Sequence, residues 1–194
     1  MIRKLKIKFV ALAMTALFAL LAVIVVGMNL INYHSVVQEA DAVLSVLSQN
    51  KGAFPDFGSG PNNHLPPNMS PETPYESRYF SVFLNESGEV VLTDTSKIAS
   101  VDSEAAAAYA RTIVEKQSVQ GFLDEYRYIF RSEPNGFRIT FLDCGRSLAS
   151  FRKFLVASTG MALMGYVVVF FVIFFFAGRI IRPIAESYDK QKRF

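Results

Sequence analysis

The sequence predicts an α+β domain carried between two transmembrane helices, and three observations predict it. Two long uncharged apolar stretches, Phe9 to Tyr33 and Leu155 to Gly178, lie near the ends of the 194-residue chain. Basic residues crowd the outer flank of each: Arg3, Lys4, Lys6 and Lys8 before the first, Arg179, Arg182, Lys190, Lys192 and Arg193 after the second. Between the stretches the apolar spacing changes from helical to strictly alternating, which places helices and strands in one middle segment.

Each apolar stretch exceeds the roughly 20 residues needed to cross a hydrocarbon core about 30 Å thick. A charge at that depth costs roughly 2.5–3.5 kcal/mol, and neither stretch contains one. Backbone groups in lipid must be bonded within their own segment, so both stretches read as helices. The segment 34–153 holds eleven basic and fifteen acidic residues, a net charge of −4, while the tails carry +4 and +3. The bias of basic residues toward the inner side places a two-span protein in the cell membrane with both termini cytoplasmic and 34–153 outside. The chain's formal charge of +3 is thereby explained by topology, and nucleic acid is not implied as a partner. The first stretch reads as an uncleaved anchor. It is longer than the 7–15 residues of a signal core, and no A-x-A-like site follows it before Asn29.

The expected division is a basic tail (1–8), a first span (9–33), an outer domain (34–153), a second span (154–178) and a cytoplasmic stub (179–194). Residues 34–50 continue as a helix, with Val36, Val37, Ala40, Val43, Leu44 and Leu47 at helical spacing. Lys51 to Pro74 holds six of the eight prolines, which disfavours helix and sheet alike and predicts a long loop over 51–77. His64 falls in that loop with no second His or Cys beside it, so a solvated histidine is expected there and not a metal ligand. Arg78–Asn85 and Glu89–Thr93 are rich in β-branched and aromatic residues and join across Glu86-Ser87-Gly88 as a hairpin. Asp102 or Ser103 caps a helix to about Gln117, whose stripe is Ala106, Tyr109, Ala110, Ile113 and Val114. Tyr126, Tyr128 and Phe130 then alternate with Glu125, Arg127 and Arg131. After the turn Pro134-Asn135-Gly136, Phe137, Ile139 and Phe141 alternate with Arg138 and Thr140. Two antiparallel strands with one buried face follow, and a last helix starts near Arg146. The expectation is one antiparallel sheet with helices packed on a single face.

This order of elements, and the segment from Phe83 to Val91 in particular, resembles the extracytoplasmic PAS-like sensor domains of bacterial receptors. The resemblance covers roughly residues 36–150. Arg182-Pro183-Ile184 directly after the second span resembles the membrane exit of sensor histidine kinases. Lys190-Gln191-Lys192-Arg193-Phe194 is similar to the approach to their phosphoacceptor helix. The phosphoacceptor motif and the nucleotide-binding motifs of that family are absent from these residues, and the only histidines, His34 and His64, fall in the outer segment. The chain therefore looks like the sensing and membrane-spanning half of a two-component sensor histidine kinase without its catalytic core. The resemblance implies a homodimer, an external ligand, and ATP, magnesium and a response regulator that engage only the missing core. It also implies signal transmission through Arg182, Pro183, Ile184 and Tyr188. The input half of a chemoreceptor or cyclase, or a stand-alone two-span scaffold or regulator, fits the same layout.

Read without the family, Ile181, Ile184, Tyr188 and Gln191 follow a three-four spacing that suits a two-helix seam. Arg127, Arg131 and Arg138 share the strand face opposite the apolar one. They are the candidate contacts for an anionic ligand, against the plainer reading of a solvated, salt-bridged face. Cys144 is the only cysteine, which excludes an intramolecular disulfide, and an inert, partly buried thiol is expected. No phosphate-binding glycine loop, metal-ligand cluster or nucleophile motif occurs, so no catalytic residue, cofactor or metal is assigned to the chain itself.

Overall fold

The computed structural model describes the backbone of residues 2–55 and 69–191 and the side chains of residues 6–55 and 69–176. The chain divides into two compact units, one of residues 33–150 and one of residues 1–32 with 151–194. The elements in order are α1 (Ile2–Gln49), α2 (Thr73–Glu76), β1 (Tyr79–Leu84), β2 (Val90–Asp94), α3 (Ser103–Lys116), β3 (Gln120–Leu123), β4 (Tyr126–Glu133), β5 (Gly136–Asp143) and α4 (Gly145–Gln191).

The unit 33–150 is built on one antiparallel five-stranded sheet in the order β2-β1-β5-β4-β3. Strands β1 and β5 are central, with Phe80 opposite Phe141 and Val82 opposite Ile139. The predicted hairpin closes through Asn85, whose side-chain oxygen accepts from the Glu89 amide at 2.8 Å and from the Ser87 hydroxyl at 2.7 Å. Helix α3 begins where its cap predicted: the Asp102 carboxylate accepts from the Ala105 amide at 2.8 Å, which satisfies one of the otherwise unpaired first-turn donors. It ends at Gln117 in the left-handed conformation, φ +50°.

One sheet face carries Phe80, Val82, Leu84, Tyr128, Ile139 and Phe141, all buried against Ala106, Ala110 and Ile113 of α3. Phe80 and Phe141 stack with centroids 4.6 Å apart and planes 8° apart. Burying a side chain of this size contributes about 1.5–3 kcal/mol, so this layer is the main hydrophobic store of the unit. Tyr128, Ile139 and Phe141 are buried as the alternation required, and Tyr126 is half-buried at the margin.

The other face is covered as well, which corrects the expectation of helices on one side. Ala40, Val43, Leu44 and Leu47 of α1 pack on Tyr79, Leu142 and Cys144, flanked by Phe122 and Ile129. The physical reason is a division of labour on that face. Its apolar positions bury against the α1 stripe, while Gln120, Arg127 and Arg131 bond to polar side chains of the same helix. Helix α1 ends at a close approach to the sheet: Gly52 takes φ +82°, and a Cβ there would lie 2.5 Å from the Ser81 hydroxyl oxygen. Only glycine meets both demands without strain.

Two further elements were not predicted. Strand β3 extends the sheet by pairing with β4, Gly121 opposite Tyr128. Helix α2 forms inside the proline-rich stretch because Pro74 stands in its first turn, where a missing N–H costs nothing. Residues 56–68 of the predicted loop, His64 among them, lie outside the described residues.

In the other unit, α1 and α4 both supply segments long and apolar enough to cross a membrane. Only 11% of the most apolar stretch of α1 and none of that of α4 is buried, unlike the core helix of a water-soluble fold. The two segments meet through Val10, Met14 and Leu17 on one side and Tyr166 and Ile173 on the other. Asn29 adds a polar link. Its Nδ2 donates to the Val25 carbonyl at 2.7 Å and to the Ser158 hydroxyl at 3.1 Å, while its Oδ1 is buried without a partner among the described residues. The stub residues Arg182, Pro183, Ile184 and Tyr188 belong to the α4 backbone, and their side chains lie outside those described.

Candidate functional site

The three candidate arginines share the sheet face that α1 covers, but they do not converge on one open pocket. Arg127, on β4, grips Asp41 of α1 with both ends of its guanidinium, Nε to Oδ1 at 2.7 Å and Nη2 to Oδ2 at 3.0 Å. Gln120 donates to the same carboxylate at 3.3 Å, and the Arg127 guanidinium lies 4.9 Å from the Phe122 ring centre. Arg138, on β5, pairs with Glu133 at 2.6 Å and covers the Phe83 ring at 5.1 Å. Arg131 stands directly opposite Arg138 in the ladder and donates to the Ser48 hydroxyl of α1 at 3.3 Å. Two adjacent guanidiniums repel, and the Glu133 carboxylate on Arg138 offsets that repulsion. Arg127 and Arg131 thus tie the sheet to α1 at two heights, Asp41 and Ser48, seven residues or about two turns apart.

A separate cleft opens at the other end of this interface. It has a volume of about 640 Å³ and is bounded by α1, the segment 73–78, the end of β5 and the start of α4. Its apolar floor is Ala40, Val43 and Leu142, all buried. Glu39, Glu76, Arg78 and Arg146 supply charge, and Tyr75, 84% exposed, stands at its lip. Arg78 Nη2 forms an ion pair with Asp143 Oδ2 at 2.8 Å. The other carboxylate oxygen, Oδ1, accepts from the Gly145 amide at 2.8 Å, which caps the first turn of α4. The charge of Asp143 is therefore satisfied from both sides. Sequence reasoning did not find this cleft, because its walls come from four segments with no motif in common.

Cys144 also lines the cleft and is 4% exposed. Burial pushes its thiol up to about 11, outweighing the lowering effects of a backbone hydrogen bond and of the Arg127 charge. Such a thiol is almost wholly protonated at neutral pH and is a poor nucleophile. Among the described residues, no group of three potential metal ligands comes together. Two features of this face are thus defined among the described residues: polar ties from Arg127 and Arg131 to α1, and a charged cleft at its other end. No family model, curated protein or solved structure matches this chain.

Proposed function

We propose that the chain senses an external cue and transmits it across the cell membrane, as the input half of a two-component sensor histidine kinase. One observation carries this reading most. Helices α1 and α4 each run unbroken from an apolar segment into the α+β unit. Helix α1 ends bonded to the sheet, and α4 starts one residue after the central strand β5. A change of packing in the sheet therefore has a helical route out, through Asp41 and Ser48 on one side and Cys144 on the other.

A helix from the first apolar segment lying on an antiparallel sheet supports the PAS-like reading of the outer unit. The basic flanks support two spans with both termini in the cytoplasm. Arg182, Pro183, Ile184 and Tyr188 pass the change onward, and the chain acts as a homodimer. Phosphorylation, with its ATP, magnesium and response regulator, belongs to a kinase core whose motifs are not in these 194 residues. The energy available to the switch is the cue's difference in affinity between two packing states.

A fusion tests the reading. Residues 1–194 are joined to a histidine-kinase core, and one, two or three residues are inserted after Ser187. Each insertion turns the following helical face by about 100°, so autophosphorylation should vary periodically with insertion length. A fusion indifferent to all three insertions would refute signal transmission through this helix. Sidedness is checked in intact cells with Ser87→Cys in a Cys144→Ala background. An impermeant maleimide should label it without permeabilisation; labelling only afterwards contradicts the topology.

A further inference from the structure

The cleft beside α1 carries charges that the fold does not consume. Asp143 is satisfied by Arg78 and by the Gly145 amide. Glu39, Glu76 and Arg146 make no ion pair among the described residues, and Arg78 pairs with Asp143 while 43% of its side chain stays exposed. A guanidinium has five N–H donors, so Arg78 can hold Asp143 and a second acceptor as well. The volume of about 640 Å³ falls within the roughly 300–1,000 Å³ of small-molecule sites.

The two signs of charge define the occupant. A simple anion attracted by Arg78 and Arg146 meets the fields of Glu39 and Glu76. A simple cation meets the reverse. A molecule with both groups satisfies both sets, and Tyr75 adds an exposed ring of the kind that receives ammonium groups. Two guanidiniums from separate segments line the cleft together with Ser147, and planar guanidinium donors of this kind suit a phosphate.

Resting on the sensor reading above, we propose that this cleft is the ligand site and that it binds a small zwitterion bearing a primary ammonium and a phosphate. Glu39, Glu76 and Tyr75 take the ammonium, and Arg78 and Arg146 take the phosphate. A phospholipid headgroup and free phosphoethanolamine both join an ammonium to a phosphate, the lipid's diester with two free oxygens and the solute's monoester with three. Val36, on the cleft wall, follows the expected end of the first span at Tyr33 within one helical turn, so both sources have access.

The test uses the full chain in nanodiscs of phosphatidylglycerol alone, with phosphoethanolamine as the probe and ligand-observed NMR as the readout. Phosphoethanolamine should bind at least tenfold more tightly than ethanolamine or glycerol phosphate, each of which lacks one of its two charged groups. Glu76→Gln and Arg146→Gln, both at exposed positions, should each weaken binding at least tenfold with unchanged circular dichroism and melting. Repeating the titration in nanodiscs with added phosphatidylethanolamine separates the sources. Competition by that lipid assigns the headgroup, and unchanged affinity assigns the free solute. No selectivity over ethanolamine and glycerol phosphate, or unaltered binding in both variants, overturns the proposal. The insertion series on the kinase fusion needs no ligand, so it stands or falls separately.

Discussion

Removing the two partners of the Asp41–Arg127 pair should have unequal costs. The pair is bidentate, at 2.7 and 3.0 Å, but the Arg127 side chain is 11% exposed and that of Asp41 34%. Without the carboxylate, a nearly buried guanidinium is left over the Phe122 ring with its charge uncompensated. Without the guanidinium, a carboxylate remains that water still reaches and that Gln120 still contacts at 3.3 Å. Exposed pairs contribute about 0.2–1 kcal/mol, whereas stripping the partner from a buried charge costs about 3–5 kcal/mol. Asp41→Ala should therefore cost about 2–3 kcal/mol, between those limits. Arg127→Met, which keeps the apolar stem, should cost only about 1 kcal/mol, in the range of an exposed pair. The double variant should cost about 1–2 kcal/mol less than the sum, the coupling expected of contacting residues. For residues 33–150 expressed alone, 1 kcal/mol corresponds to roughly 3–6 °C in melting temperature, interpolated between domain sizes. Asp41→Ala should then lower it by roughly 6–18 °C on that scale. An Arg127→Met variant as unstable as Asp41→Ala, or strictly additive costs, would refute the argument from unequal burial.

Phe141, fully buried and stacked on Phe80, should cost about 3–5 kcal/mol when truncated to alanine, and urea unfolding with an unchanged m-value would measure it. Gly52→Ala forces a Cβ against Ser81 at φ +82° and should cost at least about 1–3 kcal/mol, read from the same curves. The Cys144 thiol should react with a disulfide reagent at pH 8 only after unfolding, because burial holds it up to about 11 from 9.0. A group raised in the folded state favours folding fully below its unfolded value. Its contribution should therefore be constant below pH 9 and fall away as pH rises toward 11, and Cys144→Ala should flatten that part of the stability profile. Rapid native-state labelling at pH 8 would contradict the burial. Tyr79 and Tyr109, both also raised first by burial, act in the same direction at higher pH.

The elements legible in the sequence were those with a strong local period or a chemical end-signal. Tyr126 to Phe130 and Phe137 to Phe141 alternate cleanly, and Asp102 announces α3 through its cap. Strand β3 has four residues and one glycine, too short for a period to register. Its Gly121 is explained only in three dimensions, since a Cβ there would lie 2.8 Å from the Tyr128 hydroxyl. The second covered face was hidden for a different reason. Arg127 and Arg131 look like a solvated surface when their partners on α1, some 80–90 residues earlier, are not in view. The cleft was illegible altogether, because Glu39, the segment of Glu76 and Arg78, and Arg146 come together only through folding.

The junction of β5 with α4 has a mechanical consequence. Only Cys144 separates the strand from the helix, and β5 is bonded along its length to β1 on one side and β4 on the other. A tug on the start of α4 along the strand axis is not absorbed by a slack linker. It meets two ladders in shear, whose hydrogen bonds stretch together instead of peeling one by one. The sheet is thus a stiff spring for axial force at that point.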